Sequence, residues 1–310
     1  MTTALRPMST GELLDRTFTL YKRHFLLFTG IAVPAPAIVL LLILLSNIAG
    51  ALPGVQSRIG GTASTIILSL GALVGIIGLG MGFALSIAAT IRAVSALHLS
   101  MPTTIGQSYA ELRGHYLRIV GVSLSVCIRI CGGSFLVYLA SVIVAAMAAG
   151  AATVMGAVGI VIGTIVAVAC VVGGILLGLT LFVRYGLAVQ SCVIEDIPSK
   201  QAIKRSIFLS KGSRNRLLTV YVLFSTLSFA IFGCLAFLAD LCSDFIQSPQ
   251  IDSAMFSFAF FLTLVLTMPL ATVAMSLAYY DERVRKEGFD LQMLIAGLEA
   301  PQARAAATSA

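Results

Sequence analysis

The sequence predicts an all-α, polytopic transmembrane bundle of six spans, built as three tandem units of a short amphipathic helix plus a transmembrane hairpin. Three observations carry that reading. Of 310 residues, 58% are hydrophobic and only 11% charged, where soluble domains carry about 25% charged residues. Mean hydropathy is +1.01. The basic residues are also segregated by segment, as counted below. So few charges cannot keep a soluble fold of this length dispersed, and the composition also excludes disordered and collagenous classes.

The elements follow in chain order. Ser9-Thr10-Gly11-Glu12 reads as a capping box that starts a helix, with Ser9 as N-cap and Glu12 reaching back. Leu14, Phe18, Tyr21 and Phe25 then form an apolar stripe at helical spacing. A crossing of about 30 Å needs about 20 apolar residues. Runs of that kind occupy roughly 25–48, 64–91, 118–148, 152–183, 216–240 and 254–280. The first has no small-residue cleavage site and is expected to be retained as a span. The stretch from Ile119 to Val183 is too long for one crossing, so a hairpin is predicted near Ala149-Gly150-Ala151. Pro34, Pro36 and Pro269 predict kinks. The pairs Gly71/Gly75, Gly78/Gly82, Gly159/Gly163 and Gly174/Gly178 predict close helix packing.

The stripe recurs. Ile105, Tyr109, Leu112 and Tyr116 repeat the first copy 91 residues on, with His115 matching His24. A further 98 residues on, Ile203 and Ile207 keep half of it, and Gly212 and Arg216 match Gly114 and Arg118. The third copy loses the stripe at Ser210 and Arg214. A period near 95 residues suggests tandem duplication. The predicted units cover about 8–98, 99–197 and 198–290 of a single domain over 1–298, followed by a disordered tail at 299–310.

Six crossings place segments 1–24, 92–118, 184–216 and 281–310 on one side. Those segments hold 18 of the 20 Lys and Arg. The opposite side holds Arg58, with Asp240, Asp244 and Asp252. Loops rich in Lys and Arg resist translocation, so both termini are predicted to be cytoplasmic. The same segregation accounts for the net charge of +7 without a nucleic-acid partner. Membrane lipids are the expected partners, and a protein partner or a homo-oligomer stays open.

Arg129 is the remaining basic residue. It lies 11 residues past Arg118, about 16 Å along a helix, and so near mid-membrane. It marks a candidate intramembrane site for an anion or a structural latch. The other reading is that it bonds carbonyls freed near Gly132-Gly133, or sits shallower. Arg16, Lys22, Arg23, Arg113, Arg118, Lys211, Arg214 and Arg216 are candidates for the lipid interface. Two roles are open to the first stripe: lying along the anionic leaflet, and capping the spans. Cys127 and Cys131, four apart, read as two core thiols rather than a soft-metal site. Asp281-Glu282-Arg283-Val284-Arg285-Lys286 reads as a solvated helix end. No P-loop, metalloprotease or nucleophile-elbow motif occurs, and no cofactor or metal is expected.

Three blocks resemble a known family: Arg6-Pro7-Met8-Ser9-Thr10-Gly11-Glu12-Leu13-Leu14-Asp15 with Leu20-Tyr21-Lys22-Arg23; Cys192 to Asp196 with Ala202 to Ser206 and Leu209 to Gly212; and Tyr279 to Asp290. The family is that of uncharacterised bacterial integral membrane proteins labelled glycerophosphoryl diester phosphodiesterase membrane domains. The resemblance implies a bacterial inner-membrane location. The label derives from fusion to a soluble phosphodiesterase domain, which these 310 residues do not contain. The expected function is non-enzymatic, lipid-interacting or accessory to a membrane partner. The alternative is a transporter or permease for a small or amphipathic solute, with Arg129 facing the path.

Overall fold

The computed structural model describes residues 8–51, 62–98, 101–246 and 248–288. The segment 299–310 and Arg6, Arg58 and Arg304 lie outside them. The described residues form eleven helices and no strand: α1 (Thr10–Arg23), α2 (Phe25–Ala32), α3 (Pro34–Ala51), α4 (Thr62–His98), α5 (Ile105–Ala110), α6 (Tyr116–Met155), α7 (Ala157–Tyr185), α8 (Ala188–Ile194), α9 (Ser199–Ser210), α10 (Arg214–Ile246) and α11 (Pro249–Glu287). Five helices are long and apolar enough to cross a membrane. The bent pair α2–α3, turning by 47°, raises the number to six.

α11 is the axis of the fold. It packs against α10, α3, α1, α2 and α4, and 56% of its apolar window is buried. The α6–α7 hairpin is the opposite case. Its two helices pack mainly on each other, and only 6% of each window is buried. Gly174 and Gly178 of α7 permit that closeness, since a Cβ there would meet Val137 at 3.0 Å and Ser134 Oγ at 3.1 Å. Gly82 of α4 likewise sits against Ala35 of α3.

The capping box forms as predicted. Glu12 N–H donates to Ser9 Oγ (3.2 Å) and Ser9 N–H to Glu12 Oε2 (2.8 Å). Two expectations are corrected. The second stripe is not one helix, because α5 stops at Ala110 and the chain turns through Gly114 at φ +84°. That left-handed conformation favours glycine, so Leu112 reaches the core from a turn instead of a helix. The α6–α7 hairpin turns at Gly156 (φ +59°), past the predicted Ala149-Gly150-Ala151, because the three small residues continue the helix while Gly156 reverses it. The predicted bend at Pro34 is present at 47°, and Pro269 lies inside the helix Pro249–Glu287.

Tyrosine hydroxyls serve both proline turns. Tyr109 OH and Ser86 Oγ each donate to the Ile31 carbonyl at 2.8 Å, in the turn before Pro34. Tyr21 OH donates to the Leu266 carbonyl at 2.9 Å, next to Val265, whose carbonyl loses its helical donor at Pro269. Burial pushes the Tyr21 phenol up to about 12. Below pH 10 folded and unfolded states both keep the proton. Between about 10 and 12 the unfolded phenol ionises first, so stability falls as pH rises. Tyr21→Phe is expected to cost about 1 kcal/mol at neutral pH and to flatten that alkaline loss. Thermal unfolding in detergent at pH 8 and pH 11 measures both effects. An unchanged alkaline slope in the variant would refute the assignment.

Candidate functional site: a charged end with a basic cleft

Nearly all charged side chains described here meet at one end of the bundle, where α11 finishes among α1, α4, α8, α9 and the start of α10. α11 carries Asp281, Glu282, Arg283, Arg285, Lys286 and Glu287 in its last two turns. The side chains of Asp281 and Glu282 are 0% and 1% exposed. The predicted solvated helix end is therefore a buried ionic core. The cause is tertiary: α10 and the segment at Met8 close over the face that carries Asp281 and Glu282, so these carboxylates must find partners within the protein.

Two linked clusters result. In the first, the Arg205 guanidinium grips Glu195 with two bonds (2.9 and 3.0 Å) and donates to Glu287 at 2.7 Å. Tyr279 OH also donates to Glu195. Arg283 lies 3.4 Å from Glu195 and 3.3 Å from Glu287. Burial alone works against the charge on Arg205, but its bonds and charge attraction to Glu195 and Glu287 outweigh that and hold its pKa above the ordinary value. In the second cluster, Asp281 accepts from Arg216, from Arg285 (2.7 Å) and from the Met8 backbone N–H (2.5 Å). Arg216 also reaches Glu282 at 3.3 Å. Lys286 Nζ donates to the carbonyls of Phe208 (3.1 Å), Leu209 (2.5 Å) and Lys211 (2.6 Å), capping the end of α9.

Beside the second cluster opens a cleft of about 820 Å³, lined by the run Lys211 to Arg216 with Glu282, Arg285 and Lys286. At the far end of the bundle an apolar cleft of about 670 Å³ lies between α3, α10 and α11, with Leu44, Leu235 and Phe258 in its walls.

The sequence candidates divide. Lys22, Arg23, Arg113, Lys211 and Arg214 are exposed. Arg118 is paired with Asp196 and donates to its carbonyl (3.0 Å). Arg16 donates to His98 Nδ1 at 3.5 Å. Arg216 is committed to Asp281 and Glu282. Arg129 is exposed on α6. It bonds the Ser125 carbonyl one turn back (2.8 Å), not carbonyls near Gly132, and lies 5.9 Å from the Tyr185 ring. Tyr185 ends α7, so the guanidinium is at the level where the return helix finishes. Cys127 and Cys131 are exposed, 3.7 Å apart, rather than in a core, because the outer face of α6 has no protein neighbour. Among the described residues no group of three or more His, Cys, Asp or Glu is placed to hold a metal.

The residues missed from sequence are Glu195, Arg205, Asp281 and Glu282. The available signal was the i,i+4 pairing of Asp281 with Arg285, Glu282 with Lys286 and Arg283 with Glu287, beside two tyrosines.

The fold defines an all-helical protein of the multi-pass membrane class, with five to six helices able to cross a bilayer. Comparison with family models, curated proteins and solved structures finds no match for this chain.

Proposed function

We propose that this is a non-enzymatic bacterial inner-membrane protein with six spans and cytoplasmic termini. In this reading its charged end is a cytoplasmic belt that engages anionic lipids, alone or beside a membrane partner. The observation that carries the reading is the pairing of exposed cations with exposed apolar side chains at that end. Leu26 (81% exposed) follows Lys22 and Arg23, Leu117 (86%) follows Arg113, and Phe208 (53%) lies between Lys204 and Lys211. Each sits within a few residues of an exposed cation, the order of a headgroup boundary. At a headgroup boundary the apolar group inserts and the cation meets phosphate.

Three tandem units accord with the geometry. The helices entering the spans start at Phe25, Tyr116 and Arg214, at the 91- and 98-residue offsets of the stripe. Thr17, Ser108 and Ser206 hold equivalent positions and are all buried. Gly114 and Gly212 both adopt positive φ just before the span. The resemblance to the phosphodiesterase-associated membrane family fits this architecture and carries no catalytic claim.

Arg129 turned outward to Tyr185 favours lipid engagement over transport. Native mass spectrometry of the gently solubilised protein is expected to find anionic phospholipids retained over zwitterionic ones. Retention of neither class would overturn the reading. So would polar-solute uptake into proteoliposomes that Arg129→Leu abolishes.

A further inference from the structure

We propose that the cleft between α9, α10 and α11 holds the phosphate of an anionic phospholipid, an assignment that rests on the lipid-belt reading above. Its walls carry five cations, Lys211, Arg214, Arg216, Arg285 and Lys286, against the single carboxylate Glu282. Asp281, which pairs with Arg216 and Arg285 from behind, brings the carboxylates to two. Three positive charges are left uncompensated.

The uncompensated donors can be named. The side chains of Lys211 and Arg214 are exposed, and neither makes an ion pair among the described residues. Arg216 spends Nη1 on the carboxylates, while its Nη2 is buried and has no hydrogen-bond partner. A buried guanidinium N–H without an acceptor costs free energy that a bound anion would recover. The chain turns through Gly212 at φ +92° into the first turn of the 33-residue α10. The unbonded N–H groups of that turn add positive potential to the same wall. Guanidinium forks and ammonium groups together match the several acceptor oxygens of a phosphate.

The surroundings favour a lipid source over a free one. The exposed Phe208 ring stands beside the cleft, 5.9 Å from Lys286 Nζ. Val222 and Leu223 are exposed on α10, eight to nine residues beyond Arg214, or about 12 Å further along the helix. Cations above an aliphatic face reproduce the headgroup-over-tail order of a phospholipid.

The test measures binding of dioleoylphosphatidylglycerol and dioleoylphosphatidylcholine to the full chain in detergent by native mass spectrometry. Lys211→Gln with Arg214→Gln is expected to weaken the tightest phosphatidylglycerol site roughly 25-fold, since each cation near an anionic headgroup contributes about fivefold. The charge-preserving pair Lys211→Arg with Arg214→Lys restores binding, and Arg184→Gln with Lys200→Gln, two exposed cations outside the cleft, leaves that site unchanged. Wild-type affinity in the Lys211/Arg214 glutamine pair, or an equal loss in the Arg184/Lys200 pair, overturns the cleft while the lipid-belt reading stands. A wild type that shows no preference for phosphatidylglycerol overturns both. Inorganic phosphate that binds the wild type and displaces no lipid assigns the cleft to a soluble anion and overturns the lipid assignment.

Discussion

Asp281→Ala is expected to destabilise the protein by about 3 kcal/mol, the low end of the cost of removing one partner from a buried ion pair. The carboxylate is fully buried and serves three donors on three elements: Arg216 of α10, Arg285 of α11 and the Met8 backbone ahead of α1. Deleting it leaves Arg216 charged and desolvated next to Glu282 alone. Arg285 is 39% exposed and can turn to water, which moderates the cost. Since Met8 N–H loses its acceptor, the start of α1 also loosens. Thermal unfolding in detergent measures the loss, and tryptic cleavage after Arg16 reports α1. The double variant Asp281→Ala with Arg216→Met is expected to recover part of the stability, because it spares the cost of an unpaired buried guanidinium while Glu282 keeps Lys286 at 4.0 Å. A drop in the double variant equal to the sum of the singles would show that the two charges are not coupled.

Leu13→Ala is expected to cost about 3 kcal/mol by a different route, the loss of a fully buried side chain and the cavity left behind. Leu13, Thr17 and Tyr21 form the buried face of α1, and Leu13 is 0% exposed. α1 has no span of its own, so this face, the Met8 contacts, the Arg16–His98 bond and the Phe18–Phe224 ring contact hold it to the bundle. The same truncation at the exposed Leu26 is expected to shift stability by less than about 0.5 kcal/mol. Comparable losses at the two sites would refute the packing assigned to α1.

Most of the helical architecture was legible in the residues. Twenty-residue apolar runs can only be satisfied as helices in lipid, so the long helices follow from composition and length alone. The Ser9–Glu12 capping box was legible for a similar reason, since its donors and acceptors lie within one turn. The turn positions were less legible. Gly156 and Gly114 act through a positive φ, and neither differs in kind from the many other glycines in the chain. The exposure of Cys127 and Cys131 depended on α6 having no neighbour on that side, which no local pattern records.

By itself, then, the sequence determined the class of protein, the long helices and the end at which its charge collects, because hydropathy and charge segregation are additive along the chain. Tertiary structure alone decided what those charges do. α11 became the axis of the bundle, which turned Asp281 and Glu282 from an expected solvated tip into a buried core. It drew Arg216 from a distant segment to meet them, brought Glu195 and Arg205 to Arg283 and Glu287, and left Lys211 and Arg214 outside as spare cations. Whether a charge is a partner or a free donor depends on which helix lies beside it, and burial by neighbours is not a property of any single segment.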